Sequence, residues 1–524
     1  MGLLDVSPVR ERARCGLCAP GAGRAVAAAV RRPFVGVVLA LGSLLGCHTL
    51  PSGDPHRPDV VLISIDSLRA DHLSGYGYKR DTTPTLDALA DKGLRFTHAI
   101  SGSPWTLPSH MTMMTGLWPT QHQVIEDDRQ LSASVPVVAE RLQAAGYATA
   151  GFASAIYVSG GYGFARGFDT YQDFGLDEHA SLGHQVRTPE LVTSALGWAK
   201  GLPAGKPAFL FLHTYDAHYP YVPPEPWNTR YNRVMDAKEL RYHRWEYFKQ
   251  HPLSKARMRG LIAQYDECIR FVDDSLEPLI DTWSWDRDVV FIVIADHGEE
   301  FGERGSWGHA HTLYSEALDV PLIVSGTGVP EAVRSERVGN IDVAATVAAV
   351  AGVPWGIGDG VDVRGPVPDR DFWPETSRFD SNKLGLISGP SNSGSAAILD
   401  LAANTSERFD LKGDPRERKP MPLRNEAAAI ARHLGEPWTL PAGVLTSTAA
   451  LFSSGAQVER LVGPAAFGMW PPDGTMTVDG AETGASAPVL SGAPPTVPHL
   501  LTADVKAELE ALGYSEGADE PPAP

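Results

Sequence analysis

Four short runs of nearly unbroken apolar residues punctuate the chain: "DVVLISI" (Asp59 to Ile65), "AFLFLHT" (Ala208 to Thr214), "DVVFIVIA" (Asp288 to Ala295) and "VPLIVSG" (Val320 to Gly326). None alternates apolar with polar positions as a strand wetted on one face would, so each predicts a strand covered on both faces. Between them the period changes to that of an amphipathic helix. In "TPTLDALADKG" the residues Leu86, Leu89 and Ala90 share a face and Gly93 is expected to close the helix; "SVPVVAERLQAAG" has the same character and runs into the strand-like "YATAGFAS". Strand–helix–strand units of this kind predict an α/β fold, a largely parallel central sheet sandwiched by helices. Beyond about Arg364 the pattern weakens into a smaller C-terminal α+β subdomain. It carries "ERFDLKGDPRERKPM", a Gly-, Ser-, Ala- and Pro-rich stretch from about Gly443 to Pro498, and a closing helix "TADVKAELEALGY" with Thr502 as N-cap.

The first fifty residues depart from this pattern. Arg10, Arg12, Arg14, Arg24, Arg31 and Arg32 face only Asp5 and Glu11 there. The apolar run "FVGVVLALGSLLG" that follows is shorter than the ~20 residues a bilayer span needs, and basic-then-apolar is the order of a signal peptide. The run ends in "LLGC", similar to a bacterial lipoprotein processing site, which predicts Cys47 as the acylated first residue of a mature envelope protein. "RRPF" at Arg31 to Phe34 resembles an incomplete twin-arginine signal, and a simple signal anchor is the alternative. The expected organisation is an export segment over 1–47, a catalytic domain over 58–365, a C-terminal subdomain over 366–515 and a disordered tail over 516–524. Of the four cysteines, Cys15 and Cys18 fall in the removable segment and Cys268 is expected in the core.

Composition narrows the partners. A chain of 524 residues, 43% hydrophobic and 21% charged, fits two or three domains with a large core. The net charge of −18 leaves no excess of Lys and Arg to neutralise a phosphate backbone, which excludes nucleic acid as the main partner. A small anionic substrate would need locally concentrated donors.

Such donors collect at strand ends, where open α/β sheets bind their ligands. The first run ends in "SID" with Asp66, the second in "HTYDAH" with His213, Asp216 and His218, and the third in "ADHGEE" with Asp296 and His297. "SGSPWTLPSHMTMMTG" predicts a helix that starts near Thr106 and ends before Gly116, its free N–H groups forming an anion site. A Thr at such a start serves as nucleophile, metal ligand or cap. Asp66, Asp296 and His297 make a set that binds a divalent cation, with Thr106 completing the shell, and coordination would activate its hydroxyl. His213, His311 and Asp216 would build a second metal site or, alternatively, orient a substrate. Trp105 and Tyr219 would line the site or pack, and Glu299 and Glu300 are expected to be solvated or paired with Arg304.

Several of these segments, in this order, resemble the sulfatase family of the alkaline phosphatase superfamily. They are the run from "DVVLISIDSLRADHLSGYGYKRDTTPTLDALADKG" through "SPWTLPSHMTMMTGLWP", then "FLHTYDAHYPYVPP", "ADHGEEFGERGSWGHAHTLYSEALDVPLIV" and "ERFDLKGDP", spanning roughly Pro58 to Pro422. The resemblance implies Asp66, Asp296 and His297 as metal ligands, Thr106 as nucleophile and His218 as a contact to the substrate ester. His309 in "WGH" falls where the family places a cation that neutralises the transferred group, and His110, His213 and His311 are expected substrate contacts. It implies Ca²⁺ as the metal. Ser67 stands where many sulfatases have a second acidic ligand, however, and Asp296-His297 replaces their Asp-Asn, a set poorer in hard oxygen that suits Mn²⁺ or Zn²⁺.

Two departures bear on the chemistry. Sulfatases carry Cys or Ser at the position of Thr106 and oxidise it to formylglycine, which Thr cannot form; and His110 replaces the family's Arg, while "AGFASAIYV" stands where a Lys-x-His is usual. Thr nucleophiles occur in superfamily relatives that cleave or transfer phosphoesters. The expected function is therefore metal-dependent hydrolysis of a small, glycan or lipid ester of sulfate or phosphate type, with phosphodiester or phosphonate favoured. The alternatives are a phosphoethanolamine- or phosphoglycerol-type transferase acting on an envelope glycan or lipid, and an inactive sulfatase-like binding protein.

Overall fold

The computed structural model describes residues 57–173, 186–231, 251–379 and 381–435, with short strands at 438–439, 445–446 and 496–498. The export segment, the helix expected near Thr502 and the tail lie outside the described residues.

Eight strands form the central sheet: β1 (Asp59–Ile65), β2 (Gly93–Ile100), β3 (Ala148–Ala153), β4 (Thr170–Asp173), β5 (Ala208–Thr214), β6 (Val289–Ala295), β7 (Asp319–Gly326) and β8 (Ala332–Gly339). Their order is β8-β2-β7-β6-β1-β5-β3-β4. Every neighbouring pair is parallel except the two made by β7, which runs against both β2 and β6. The expected α/β architecture is present. All four apolar runs are strands, and β1, β5 and β6 are buried along their whole lengths, as unbroken apolar sequence demands.

Two groups of helices cover the sheet. The helices α1 (Pro84–Ala90) and α4 (Thr188–Lys200) both pack on α5 (Lys255–Asp286), while α2 (Thr106–Thr115), α3 (Val138–Ala144) and α6 (Val343–Val350) pack with one another. Leu86, Leu89 and Ala90 form the buried face of α1 as their spacing predicts. Gly93 has a different role from the one expected of it. Helix α1 closes at Asp91 and Gly93 opens β2, where an added Cβ would clash with the Val324 carbonyl oxygen. Close approach of β2 to β7, rather than helix termination, fixes that glycine.

The start of β1 is clamped by charge. The buried Asp59 carboxylate accepts from Trp283 Nε1 at 2.7 Å, Arg287 Nη2 at 2.8 Å and the Ala208 N–H at 2.8 Å. Three elements, α5, the segment after it and β5, are thereby pinned to the central strand.

The second sheet is antiparallel, with β9 (Glu375–Thr376), β10 (Lys383–Ser388), β11 (Ser395–Asp400) and β12 (Thr405–Asp410) adjacent in chain order. The "ERFD" of the C-terminal motif lies in β12. Phe372, Ile387, Ile398 and Phe409 share an apolar cluster with Ile100, Trp118 and Leu318, and helix α7 (Glu426–Gly435) contributes Ile430 and Leu434 to a second cluster on Leu384 and Leu386. Cys268 is buried on α5, where its expected core position places it. Among the described residues no helix is long and apolar enough to cross a membrane.

Candidate active site

Strands β6, β1 and β5 lie side by side and parallel, so the residues at their carboxyl ends share one edge of the sheet. Asp66 follows β1, His213 lies near the end of β5, and Asp296 and His297 follow β6. Thr106 enters from the side as the first residue of α2. Trp105 occupies the N-cap position, so Thr106 is not itself the cap, and α2 ends at Gly116 in the left-handed region with φ 66°. All ten residues of α2 are buried.

Thr106 Oγ1 lies 3.4 Å from Asp66 Oδ2 and 3.5 Å from His297 Nε2. His297 Nδ1 is 2.8 Å from the Gly298 carbonyl, which can only accept, so Nδ1 carries the hydrogen and Nε2 presents its lone pair. That nitrogen is 3.4 Å from Asp296 Oδ2 and 3.8 Å from Asp66 Oδ1. The two oxygens of Asp296 are used unequally. Oδ1 accepts the Ser67 N–H at 3.0 Å and the His297 N–H at 2.8 Å, whereas Oδ2 is buried without a hydrogen bond. Ser67 holds this arrangement in the left-handed region, φ 56°, a conformation that non-glycine residues adopt at a cost and that clusters at functional sites.

A divalent cation fits this cluster. Asp66, Asp296 and His297 each offer a ligand atom within 4.8 Å of the others, all are fully buried, and an orphaned carboxylate oxygen faces an imidazole lone pair. Burial, with the Asp66 charge adding, pushes the Asp296 carboxyl upward. Burial opposes protonation of His297, but Asp296 and Asp66 outweigh it and raise its pKa. Uncompensated negative charge is what a cation would relieve.

The remaining histidines separate into two groups. His110 and His213 stand ring to ring at 4.8 Å behind Asp296. His213 Nε2 is 3.2 Å from Asp66 Oδ2, and His110 spans the Thr106 carbonyl, at 2.8 Å through Nδ1, and Ser64 Oγ, at 2.9 Å through Nε2. Burial lowers the pKa of His110 to about 3 and that of His213 to about 4, so neither replaces a lost arginine charge. His218 stacks on Tyr215 and donates from Nδ1 to the Tyr219 carbonyl at 2.6 Å; burial lowers it to about 4. Its ring lies 4.9 Å from that of His309, which in turn lies 4.3 Å from His297. Burial also holds His309 well below its ordinary value, against the cationic role expected for it.

The second metal site expected from His213, His311 and Asp216 does not assemble. Asp216 Oδ2 is taken by the Thr188 N–H and hydroxyl, both at 2.7 Å, and His311 Nε2 lies 3.2 Å from Glu300 Oε2. His213 instead groups with His110 and Asp296. Glu299 is also not where its sequence neighbours placed it. It is fully buried, and burial raises its pKa. Arg304 sends its guanidinium to Glu316, at 2.6 Å, and only its backbone N–H to Glu300, at 2.8 Å.

Some contributors gave no local sequence signal. Asn340 Nδ2 donates to Ser109 Oγ at 2.5 Å and to the Asp296 carbonyl at 3.1 Å, tying the start of α2 to the end of β6. Tyr265 donates to the Ser67 carbonyl at 2.7 Å. Arg378 is buried 4.6 Å above the Trp105 ring and bonds Tyr157 at 2.7 Å. Trp105 is thus packed between Arg378 and Tyr157.

This set of strand-end ligands around a helix-start hydroxyl is that of a sulfuric or phosphoric ester hydrolase, and the sulfatase family model matches residues 58–353. The chain belongs to the sulfatase family, within the alkaline phosphatase superfamily. It is 24% identical to the choline-sulfatase of Rhizobium meliloti (strain 1021) over 362 residues, 57% of this chain and 70% of that protein. Solved structures of the same fold include BT4656 in complex with its substrate D-glucosamine-2-N,6-O-disulfate, at TM-score 0.58 and 17% identity over 72% of this chain and 96% of that one. The phosphonate monoester hydrolase of Agrobacterium radiobacter matches at TM-score 0.56 and 18% identity over 75% of this chain and 99% of its own.

Proposed function

We propose that this chain hydrolyses a phosphodiester or phosphonate ester in preference to a sulfate ester, with Thr106 as the attacking group. The observation that carries the reading is the hydroxyl of Thr106 at the start of α2, 3.4 Å from Asp66 and 3.5 Å from His297. Asp66, Asp296, His297 and Thr106 would hold one divalent ion, which supplies charge neutralisation at the transferred group and lowers the pKa of a bound hydroxyl. Calcium is the family expectation, while an imidazole in the set favours Mn²⁺ or Zn²⁺.

The protein's own part is geometric. Thr106 directs its hydroxyl hydrogen at Asp66 Oδ2, and the free N–H groups at the start of α2 face developing negative charge. His218 and His309, ring to ring at 4.9 Å, flank the ester oxygens, with His110, His213 and His311 behind them. A threonine ester lacks the aldehyde hydrate by which formylglycine expels sulfate, so water must attack a second time, and a phosphoryl centre tolerates that step. A sugar-sulfate complex and a phosphonate hydrolase both occur among the structural neighbours, which is consistent with a glycan ester as the substrate; a small or lipid ester is the alternative. Envelope anchoring through an acylated Cys47 belongs to the same proposal.

The test is a panel of aryl sulfate, phosphate monoester, phosphodiester and phosphonate, run with metal exchange. Phosphodiester or phosphonate turnover should exceed aryl sulfate turnover, Thr106→Ala should abolish it, and mass spectrometry of trapped enzyme should place the phosphoryl group on the Thr106 peptide. Aryl sulfate as the better substrate by a wide margin would sink the reading.

A further inference from the structure

The loop after β6 folds back as a two-stranded hairpin in which Glu300 pairs with Gly308 and Phe301 with Trp307. Continuing that register by one residue sets Glu299 opposite His309, and the side chains meet: Glu299 Oε1 lies 2.9 Å from His309 Nδ1. Glu299 is fixed through both its side chain and its backbone. Its Oε2 accepts from the Tyr221 hydroxyl at 2.7 Å, the Glu299 N–H donates to the Glu316 carbonyl at 2.9 Å, and the Glu299 carbonyl accepts from Arg69 Nη1 at 2.8 Å. The imidazole is held on one edge only. Its ring rests against His297 and His218, its side chain is 10% exposed, and Nε2 meets no hydrogen-bond partner among the described residues.

We infer that Glu299 is a positioning residue for the reaction: it holds His309 as the Nδ1–H tautomer and turns the Nε2 lone pair toward the ester, where it accepts a hydrogen bond from the attacking water or acceptor hydroxyl. A buried carboxylate bonded to one imidazole nitrogen orients the ring and selects which nitrogen is free, whether that nitrogen meets a metal or a reacting group. The hairpin supplies the pair at fixed register, Tyr221 keeps the carboxylate from turning away, and Arg69 holds the backbone carbonyl behind it. His309 in this role is a hydrogen-bond acceptor, not the cation that the family pattern implied for it. The inference rests on the ester-hydrolase reading above, and its test separates the two.

Without any substrate, the imidazole nitrogens of ¹⁵N-histidine-labelled protein should include a ring with its hydrogen on Nδ1. That signal should be absent from His309→Ala and shifted upfield in Glu299→Gln, where a charge-assisted bond becomes a neutral one. In kinetics with the best ester of the panel, Glu299→Gln should lower kcat by about 10–100-fold with KM little changed and metal content intact. The same substitution made in His309→Ala protein should cost nothing further, because its effect passes through that ring. His309 found with its hydrogen on Nε2, metal lost from Glu299→Gln, or an undiminished Glu299→Gln effect in the His309→Ala background would each overturn the inference. A wild-type protein inert on every ester would fail the functional reading alone, with the tautomer still deciding this one.

Discussion

Asp296 divides its work between its two oxygens. Oδ1 is consumed by the Ser67 and His297 N–H groups and Oδ2 is left bare beside an imidazole lone pair. Asp296→Asn keeps the volume and can keep the first function while losing the charge that the second needs. We expect the variant to fold, to lose more than ~100-fold in metal affinity, and to lose turnover with it. Elemental analysis after dialysis checks this, and full occupancy would remove Asp296 from the ligand set. The residues of this cluster were readable because each stands at an apolar run's end or a helix start, where local sequence marks position. Asn340, Tyr265 and Arg378 were not, since each reaches the site from an element far along the chain with nothing nearby to announce it. Glu299 was misread for a related reason: Arg304 lies close in sequence, but the hairpin carries the Glu299 side chain toward His309.

Elements became legible in proportion to how apolar they are. Strands β1, β5, β6 and β7 stand out because both faces are covered. Strand β2, "GLRFTHAI", interrupts its apolar residues with Arg95, Thr97 and His98, and the edge strand β8, "AVRSERVG", is mostly solvated over its first half, so neither shows the same run. Their placement is decided by pairing: β2 lies between β7 and β8, which only tertiary structure sets. The one reversed strand, β7, has an apolar sequence no different in kind from its parallel neighbours, and direction leaves no mark in composition. Anchoring of elements is more sharply testable. Asp59→Ala would take the carboxylate from the buried Arg287 guanidinium, leaving it the Lys206 carbonyl, and remove four hydrogen bonds at the start of β1. A loss of about 3–5 kcal/mol in urea denaturation is expected, and a loss under about 1 kcal/mol would show that the clamp is dispensable.

At the scale of the whole molecule, the α/β class followed from apolar runs alternating with amphipathic stretches and the family from the order of several motifs, while the proposed attachment to the envelope rests on the first fifty residues alone. Cys47→Ser should leave the precursor unprocessed or release the protein from the membrane fraction, and an unchanged distribution between fractions would refute acylation at that position. The smaller antiparallel sheet was legible only as a weakening of pattern, because its strands are short and its packing against the main body uses scattered residues such as Phe372 and Phe409.

The order of the central sheet also governs how the chain comes into being. Val60 pairs with Val290 and with Phe209, so the middle strand is made long before either neighbour exists. At ~5–20 residues per second, a ribosome needs on the order of 10–45 s to emit the stretch between Val60 and Val290. Until Phe209 emerges, roughly two-thirds of the way through that interval, a strand with no polar face waits without a partner; its other edge stays open until β6 follows, and the ligand set split between Asp66 and Asp296 cannot yet meet. Nascent chains should accordingly depend on a holding chaperone until β6 emerges, and a cation could be captured only after β6 has joined the sheet, with β7 and β8 still to be made.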